Sequence, residues 1–128
     1  MTAASELLFV YGSLMSGSGH PMAARLAASA EFVGHGRFRG CKYKVDWYCG
    51  VVPSEREEDV VTGEVYRLHD VNDLLSLLDD YEEAEPLLPA PAEFRREQRP
   101  VCITRDGSTT DCWIYLYTRP VAALAPLQ

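Results

Sequence analysis

The sequence predicts an α+β domain in which a mixed sheet of roughly six strands curls into a small barrel beside two helices. Three observations predict this class. Segments rich in β-forming residues occupy much of the chain, two stretches carry the four-residue apolar spacing of helices, and the two kinds of element do not alternate regularly. The length of 128 residues fits one domain of ordinary size, so we expect a single domain over residues 1–128.

The first predicted elements are a buried strand and a helix. Residues 6–10 form an apolar run without alternation, which is typical of a strand buried on both faces. A helix follows, with Ser18 or Gly19 as its cap and Pro21 in its first turn, where a missing N–H group does no harm. Its apolar stripe is Met22, Leu26 and Ala30.

The middle of the chain carries strand signals. Three short strands are expected at residues 31–33, 37–39 and 41–45, because glycines separate them. Residues 60–68 form a longer β-rich run, in which Gly63 marks a bulge or a close approach of two backbones.

The second helix is the clearest predicted element. Asp70 can cap it, Asp73 complements the helix dipole in the first turn, and the helix ends near Glu82. The buried stripe comprises Val71, Leu74, Leu75, Leu78 and Tyr81.

A loop and a hairpin complete the chain. Three prolines between residues 84 and 91 predict a loop. Residues 94–104 and 111–118 flank the dipeptide Asp106-Gly107, which is a strong hairpin signal.

Charge and composition exclude several kinds of partner. The formal net charge of −7 opposes binding to nucleic-acid phosphates. No apolar run approaches the roughly 20 residues of a membrane span, so no membrane partner is expected, and the first residues lack a signal-peptide pattern. The four cysteines show no Cys-x-x-Cys spacing, which speaks against a zinc site. We therefore expect a cytoplasmic protein with reduced thiols and no metal.

The first candidate site is the loop after the first strand. Tyr11, Gly12, Ser13 and Leu14 lead through a glycine- and serine-rich turn into a helix, so free N–H groups lie near the positive end of a helix dipole. Gly12 allows close approach of a ligand to the backbone, and Ser13 adds a hydroxyl. The alternative is a plain strand-to-helix connection, which is the commoner explanation of such a loop.

The second candidate site is the acidic end of the second helix. Five carboxylates crowd there: Asp79, Asp80, Glu82, Glu83 and Glu85. Negative charge at a helix C-terminus is unfavourable, and crowding, the dipole and burial all raise a carboxyl pKa toward the range of a general acid/base. A frayed, solvated helix end is an equally good explanation of this feature taken alone.

The last strand alternates strictly. Trp113, Tyr115 and Tyr117 share one face, and residues 112, 114 and 116 share the other. An aromatic stripe usually belongs to a core, but each tyrosine hydroxyl needs a partner, which a polar pocket can supply. Tyr115 and Tyr117 are therefore candidate pocket residues.

Four segments together resemble the γ-glutamylcyclotransferase-like (AIG2-like) family. Residues 9–14 resemble its Tyr-Gly-(Ser/Thr)-Leu opening, and residues 61–66 its Val-x-Gly-Glu-(Val/Leu)-Tyr strand. Residues 78–82 resemble its Leu-Asp-x-(Tyr/Phe)-Glu stretch, and residues 113–117 are similar to its aromatic last strand. The match spans residues 8–118 with order and spacing preserved.

The resemblance implies a fold, a reaction and roles for residues. It implies a small mixed α/β barrel whose first loop, from Tyr11 to Leu14, holds a γ-glutamyl group, with Glu82 as the general acid/base. In that family the substrate's α-amine attacks its own γ-carbonyl, which forms 5-oxoproline and releases an amine. The implied partner is a small γ-glutamyl compound, with neither a metal nor an organic cofactor.

Two positions depart from the family pattern. Glu83 stands where the family usually has glycine, and Phe94 stands where many members have tyrosine. Both favour a rival interpretation, a noncatalytic binding module that keeps the pocket. A protein-interaction domain without a pocket is the third possibility.

Overall fold

The structure, a computed structural model, describes residues 6–12, 15, 21–45, 48–82, 84–85 and 92–127. These residues form ten elements: β1 (Leu7–Val10), α1 (Pro21–Ser29), β2 (Ala30–Lys44), β3 (Cys49–Pro53), β4 (Val60–Leu68), α2 (Val71–Glu82), β5 (Ala84–Glu85), β6 (Phe94–Ile103), β7 (Thr109–Tyr117) and β8 (Ala125–Leu127).

Five of the strands close into a barrel. The sheet runs in the order β3-β2-β4-β1-β7-β6-β5, and β2 also pairs with β6, so that β2, β4, β1, β7 and β6 form a ring. Closure occurs where Gly36 pairs with Ile103 and Arg37 with Cys102. The pairing of β1 with β7 is parallel, and the other pairs of the ring are antiparallel. The predicted α+β barrel with two helices is confirmed.

The prediction of three short strands between residues 31 and 45 is wrong, because β2 is one continuous strand of 15 residues. Its glycines allow close packing instead of ending strands. A Cβ atom on Gly36 would lie 2.9 Å from side-chain atoms of both Val101 and Val65. Glycine at this position therefore lets β2 and β6 approach closely enough to close the barrel.

Two apolar clusters lie on the two sides of the barrel wall. Among the described residues, the fully buried members of the barrel core all lie in strands, as Phe9, Val65 and Ile114 do. The helix-side core contains Leu26 of α1 and Leu78 of α2, together with the other face of the wall. Both β1 and β7 contribute to both cores, which confirms that β1 is buried on both faces and that β7 alternates.

Several predicted boundaries are confirmed. Helix α2 ends at Glu82, and Gly107 (φ 72°) turns the β6–β7 hairpin. A Cβ atom on Gly63 would lie 2.2 Å from the carbonyl oxygen of Val10, so this glycine marks a close approach of two backbones. Strand β5 lies within the predicted loop, and the predicted cap of α1 lies outside the described residues. No helix among the described residues is long and apolar enough to cross a membrane.

Candidate functional site

Four elements bring titratable side chains together around the end of α2. Tyr11 directly follows β1, Cys49 begins β3, Tyr115 lies in β7 and Glu82 is the last residue of α2. The Glu82 carboxylate contributes to a raised pKa at each of the other three, after the larger effect of burial. The side chains of these residues, far apart in sequence, are therefore neighbours in space.

Glu82 has the pKa of a group that exchanges protons near neutrality. Burial raises its pKa from 4.5 to about 7. The predicted upward shift of the Glu82 pKa is confirmed, and its cause among the described residues is burial. At neutral pH both protonation states are populated, which is the condition for acting as base and then as acid.

Glu82 is also the least engaged of three shielded carboxyl groups. The carboxylate of Asp79 binds Arg96, and that of Glu64, 4% exposed, accepts a hydrogen bond from the Tyr66 hydroxyl. Within the part of the chain that the structure describes, Glu82 makes no hydrogen bond or ion pair. A shielded carboxyl without a partner is available to a ligand.

Tyr11 joins the first loop to β7. Its hydroxyl donates a hydrogen bond to the backbone carbonyl of Tyr115. Burial, followed by the charges of Glu82 and Cys49, holds the pKa of Tyr11 well above its ordinary value, against a smaller opposing hydrogen bond from the Val51 backbone. Tyr11 is therefore a neutral phenol beside Glu82.

Gly12 lies against the thiol of Cys49. A Cβ atom on Gly12 would be 3.6 Å from the Cys49 sulfur, and the Met15 amide donates a 2.9 Å hydrogen bond to the Gly12 carbonyl. Burial raises the pKa of Cys49, with Lys42 opposing and Glu82 adding to this effect. Two further residues of the candidate loop, Ser13 and Leu14, lie outside the described residues.

The acidic end of α2 is anchored to the barrel rather than solvated at Asp79. Nε and Nη2 of Arg96 donate to the two carboxylate oxygens of Asp79 at 2.7 and 3.1 Å. The Tyr115 hydroxyl donates to Oδ1 of Asp79 at 2.7 Å. The Arg96 guanidinium lies 4.3 Å from the centre of the Trp113 ring. Side-chain exposure is 12% for Arg96 and 4% for Asp79.

Tyr117 packs beside this centre. A Cβ atom on Gly50 would lie 2.8 Å from the Cβ atom of Tyr117. The Tyr117 ring contacts that of Phe94, with the ring centroids 5.7 Å apart. Phe94 is buried and also packs against Tyr48, at 6.0 Å between centroids. The departure at Phe94 thus lies in an aromatic cluster next to Cys49, whereas Glu83 lies outside the described residues.

Sequence reasoning missed four residues of this region: Lys42, Cys49, Asp79 as an anchored group, and Arg96. Lys42 and Cys49 have no local signal, since only the pairing of β2 with β3 brings them to the site. For Asp79 and Arg96, separated by 17 positions, a usable signal is an acid on the buried stripe of α2 together with an arginine in the alternation of β6.

The comparisons with known proteins agree with the fold. The family described as gamma-glutamyl cyclotransferase, AIG2-like matches residues 8–127. No curated protein matches the chain significantly.

Solved structures with this fold come from several organisms. A mouse AIG2-like protein is 21% identical, with a TM-score of 0.69 over 94% of this chain and 82% of the mouse chain. YkqA from Bacillus subtilis is 22% identical, with a TM-score of 0.67 over 90% of this chain but only 36% of the Bacillus chain. A protein named gamma-glutamyl cyclotransferase is 19% identical, with a TM-score of 0.61 over 96% and 70% of the two chains.

Proposed function

Because the chain belongs to the gamma-glutamyl cyclotransferase, AIG2-like family, we propose that it releases 5-oxoproline and an amine from a γ-glutamyl-amine or γ-glutamyl-amino-acid compound. The observation that carries this proposal is the Glu82 carboxyl, which has a pKa of about 7 and no partner among the described residues. It lies beside Tyr11, at the start of the loop whose sequence resembles the family's substrate loop.

The proposed reaction is intramolecular. As the neutral α-amino nitrogen of the substrate forms a bond to the γ-carbonyl carbon, ionised Glu82 takes one proton from that nitrogen. The tetrahedral intermediate collapses by breaking the bond to the leaving nitrogen, which receives the proton from Glu82. The site holds the substrate folded, so that proximity supplies much of the rate. Loop amides between Tyr11 and Leu14 stabilise the substrate carboxylate or the oxyanion.

A panel of γ-glutamyl compounds tests the proposal. Wild type should release 5-oxoproline from at least one of them, and Glu82→Gln, which keeps the shape but cannot accept the proton, should be slower by about 100-fold or more. Equal rates in the two proteins would remove the role assigned to Glu82. Calorimetric binding of a γ-glutamyl ligand without any product would instead support the noncatalytic binding module.

Lys42 supports a substrate whose leaving group carries a carboxylate. Lys42 pairs with Val51 across the β2–β3 ladder, and the Val51 backbone hydrogen-bonds to the Tyr11 hydroxyl. Its charge also acts on Cys49, the thiol beside Gly12. Among the described residues no acidic side chain pairs with Lys42. A cation without an acidic partner in the described part of the chain suits a γ-glutamyl amino acid better than an uncharged amine.

Lys42→Met should therefore discriminate between substrates. We expect the KM of a γ-glutamyl amino acid to rise about fivefold, as for the loss of one partly exposed ion pair. The KM of a γ-glutamyl alkylamine should stay the same. Lys44→Met is the matched control, because Lys44 lies on the same strand and is exposed. An equal effect of Lys42→Met on both substrates would contradict this preference.

A further inference from the structure

Tyr115 joins the two halves of the proposed site. Its backbone carbonyl accepts the hydrogen bond of Tyr11, at the end of β1. Its hydroxyl donates to Asp79, in the last turn of α2, at 2.7 Å. One residue of the barrel wall thus contacts both the element that carries the candidate loop and the helix that carries Glu82.

Asp79 is held from a second direction as well. Arg96 stands directly opposite Tyr115 in the β6–β7 ladder, and its guanidinium makes a fork with both oxygens of Asp79. The guanidinium is itself fixed by its position over the Trp113 ring. A bidentate pair with a third donor fixes the carboxylate in both distance and orientation.

The last turn of α2 needs such an anchor. Glu82 is its final residue, the turn contains no basic side chain, and acids at this end oppose the helix dipole. Helix ends fray, and a carboxylate released from a shielded site regains the hydration it lacks there. Asp79 lies three positions before Glu82, on the same side of the helix, so that fixing Asp79 fixes the turn that carries Glu82.

We propose that Tyr115 is a positioning residue, which acts through Asp79 to hold the last turn of α2 so that the Glu82 carboxyl stays beside Tyr11 and shielded from water. This inference rests on the proposed function. It gives Tyr115 a role through the helix of Glu82, as opposed to a direct contact with substrate.

Tyr115→Phe removes the hydroxyl and leaves the carbonyl that accepts from Tyr11. We expect kcat to fall about tenfold or more with KM changed less than about threefold, because the general base is displaced while the substrate contacts remain. The acidic limb of kcat/KM should also move to lower pH by about one unit, since a hydrated carboxyl regains an ordinary pKa.

The change in pH profile separates positioning from lost stability and from lost charge. Among the described residues, the Glu82 charge acts on the pKa of Tyr11, Cys49 and Tyr115, and burial raises the pKa of each. Removal of the Tyr115 hydroxyl therefore removes no charge near neutral pH. Tyr66→Phe is the matched control. It removes another buried hydroxyl, donated to Glu64 at 3.2 Å, and should leave the acidic limb in place. A raised KM with an unmoved limb in Tyr115→Phe would overturn the proposal.

A titration that needs no turnover distinguishes this inference from the proposed function. Carbon NMR of protein with labelled glutamate carboxyls, with the Glu82 signal assigned through its loss in Glu82→Gln, should give a pKa near 7 in wild type. The Glu82 pKa should be lower in Tyr115→Phe. It should also be lower in Arg96→Lys, which keeps the charge but loses the bidentate pair with Asp79. One folded variant of the two is enough for the test. Absent turnover with these shifts present would reject the cyclotransferase but keep the positioning role. An unchanged titration in the folded variants would overturn the positioning role.

Discussion

At the scale of single residues, the last turn of α2 holds two carboxyl groups in opposite environments. The carboxyl oxygens of Asp79 accept hydrogen bonds from the Arg96 guanidinium and from the Tyr115 hydroxyl. Glu82, three positions later, is buried without a hydrogen-bond or ion-pair partner among the described residues, and burial raises its pKa to about 7. The sequence predicts raised pKa values for this acidic cluster as a whole. Arg96, on another element, decides which of the two carboxyls is neutralised by a partner.

The raised pKa of Glu82 makes stability depend on pH. Between about pH 4.5 and 7 the folded protein keeps a proton that the unfolded chain has lost, so this contribution to stability is full below pH 4.5 and is lost as pH rises to 7. The loss is on the order of 3 kcal/mol. In urea unfolding, the unfolding free energy of Glu82→Gln relative to that of wild type should rise by this amount between about pH 4.5 and pH 8, because the glutamine has no charge to desolvate. A difference between the two proteins that is independent of pH would contradict the raised pKa.

At the scale of elements, glycines decide how closely the strands approach. The glycines of β2 lie at alternate positions that face the crowded barrel core, where Gly36 packs against Val101 and Val65. Because a side chain would not fit at Gly36, glycine there allows one long strand. Local propensity predicts breaks there, and close packing between strands overrides it. For α2 the local rules suffice, since the apolar stripe and the flanking acids predict the helix to its last residue.

Gly63→Ala tests the closest of these approaches. The new methyl group would lie 2.2 Å from the Val10 carbonyl oxygen and 2.8 Å from the Phe9 ring, and neither the ladder nor the core can yield easily. We expect a loss of unfolding free energy at the upper end of the ~1–3 kcal/mol typical of overpacking. The neighbouring residue Thr62 is exposed on the same strand, so Thr62→Ala is the control. It should change the free energy of unfolding by less than about 0.5 kcal/mol. Equal stability of the two variants would rule out the close approach.

At the scale of the whole molecule, the candidate site lies where the two cores meet at the end of β1. Tyr11 packs with the barrel core and Tyr115 with the helix-side core, while their hydrogen bond connects the two sides of the wall. The pairing of β2 with β6 closes the ring of strands, and α2 packs on the outer face of that ring. This arrangement brings Glu82, Cys49 and Gly12 together although they belong to separate parts of the chain.

The sequence by itself determined the barrel class, helix α2 and the β6–β7 hairpin, and it predicts Glu82 with the Tyr11–Gly12 loop as the candidate site. Apolar periodicity, turn dipeptides and motif order carry these features, and each depends on neighbours along the chain. Only the tertiary structure decided the continuity of β2, the position of the Cys49 thiol against Gly12 and the pairing of Asp79 with Arg96. The physical reason is that desolvation and ion pairing depend on which strands lie side by side. A residue's own neighbours in sequence do not specify that arrangement.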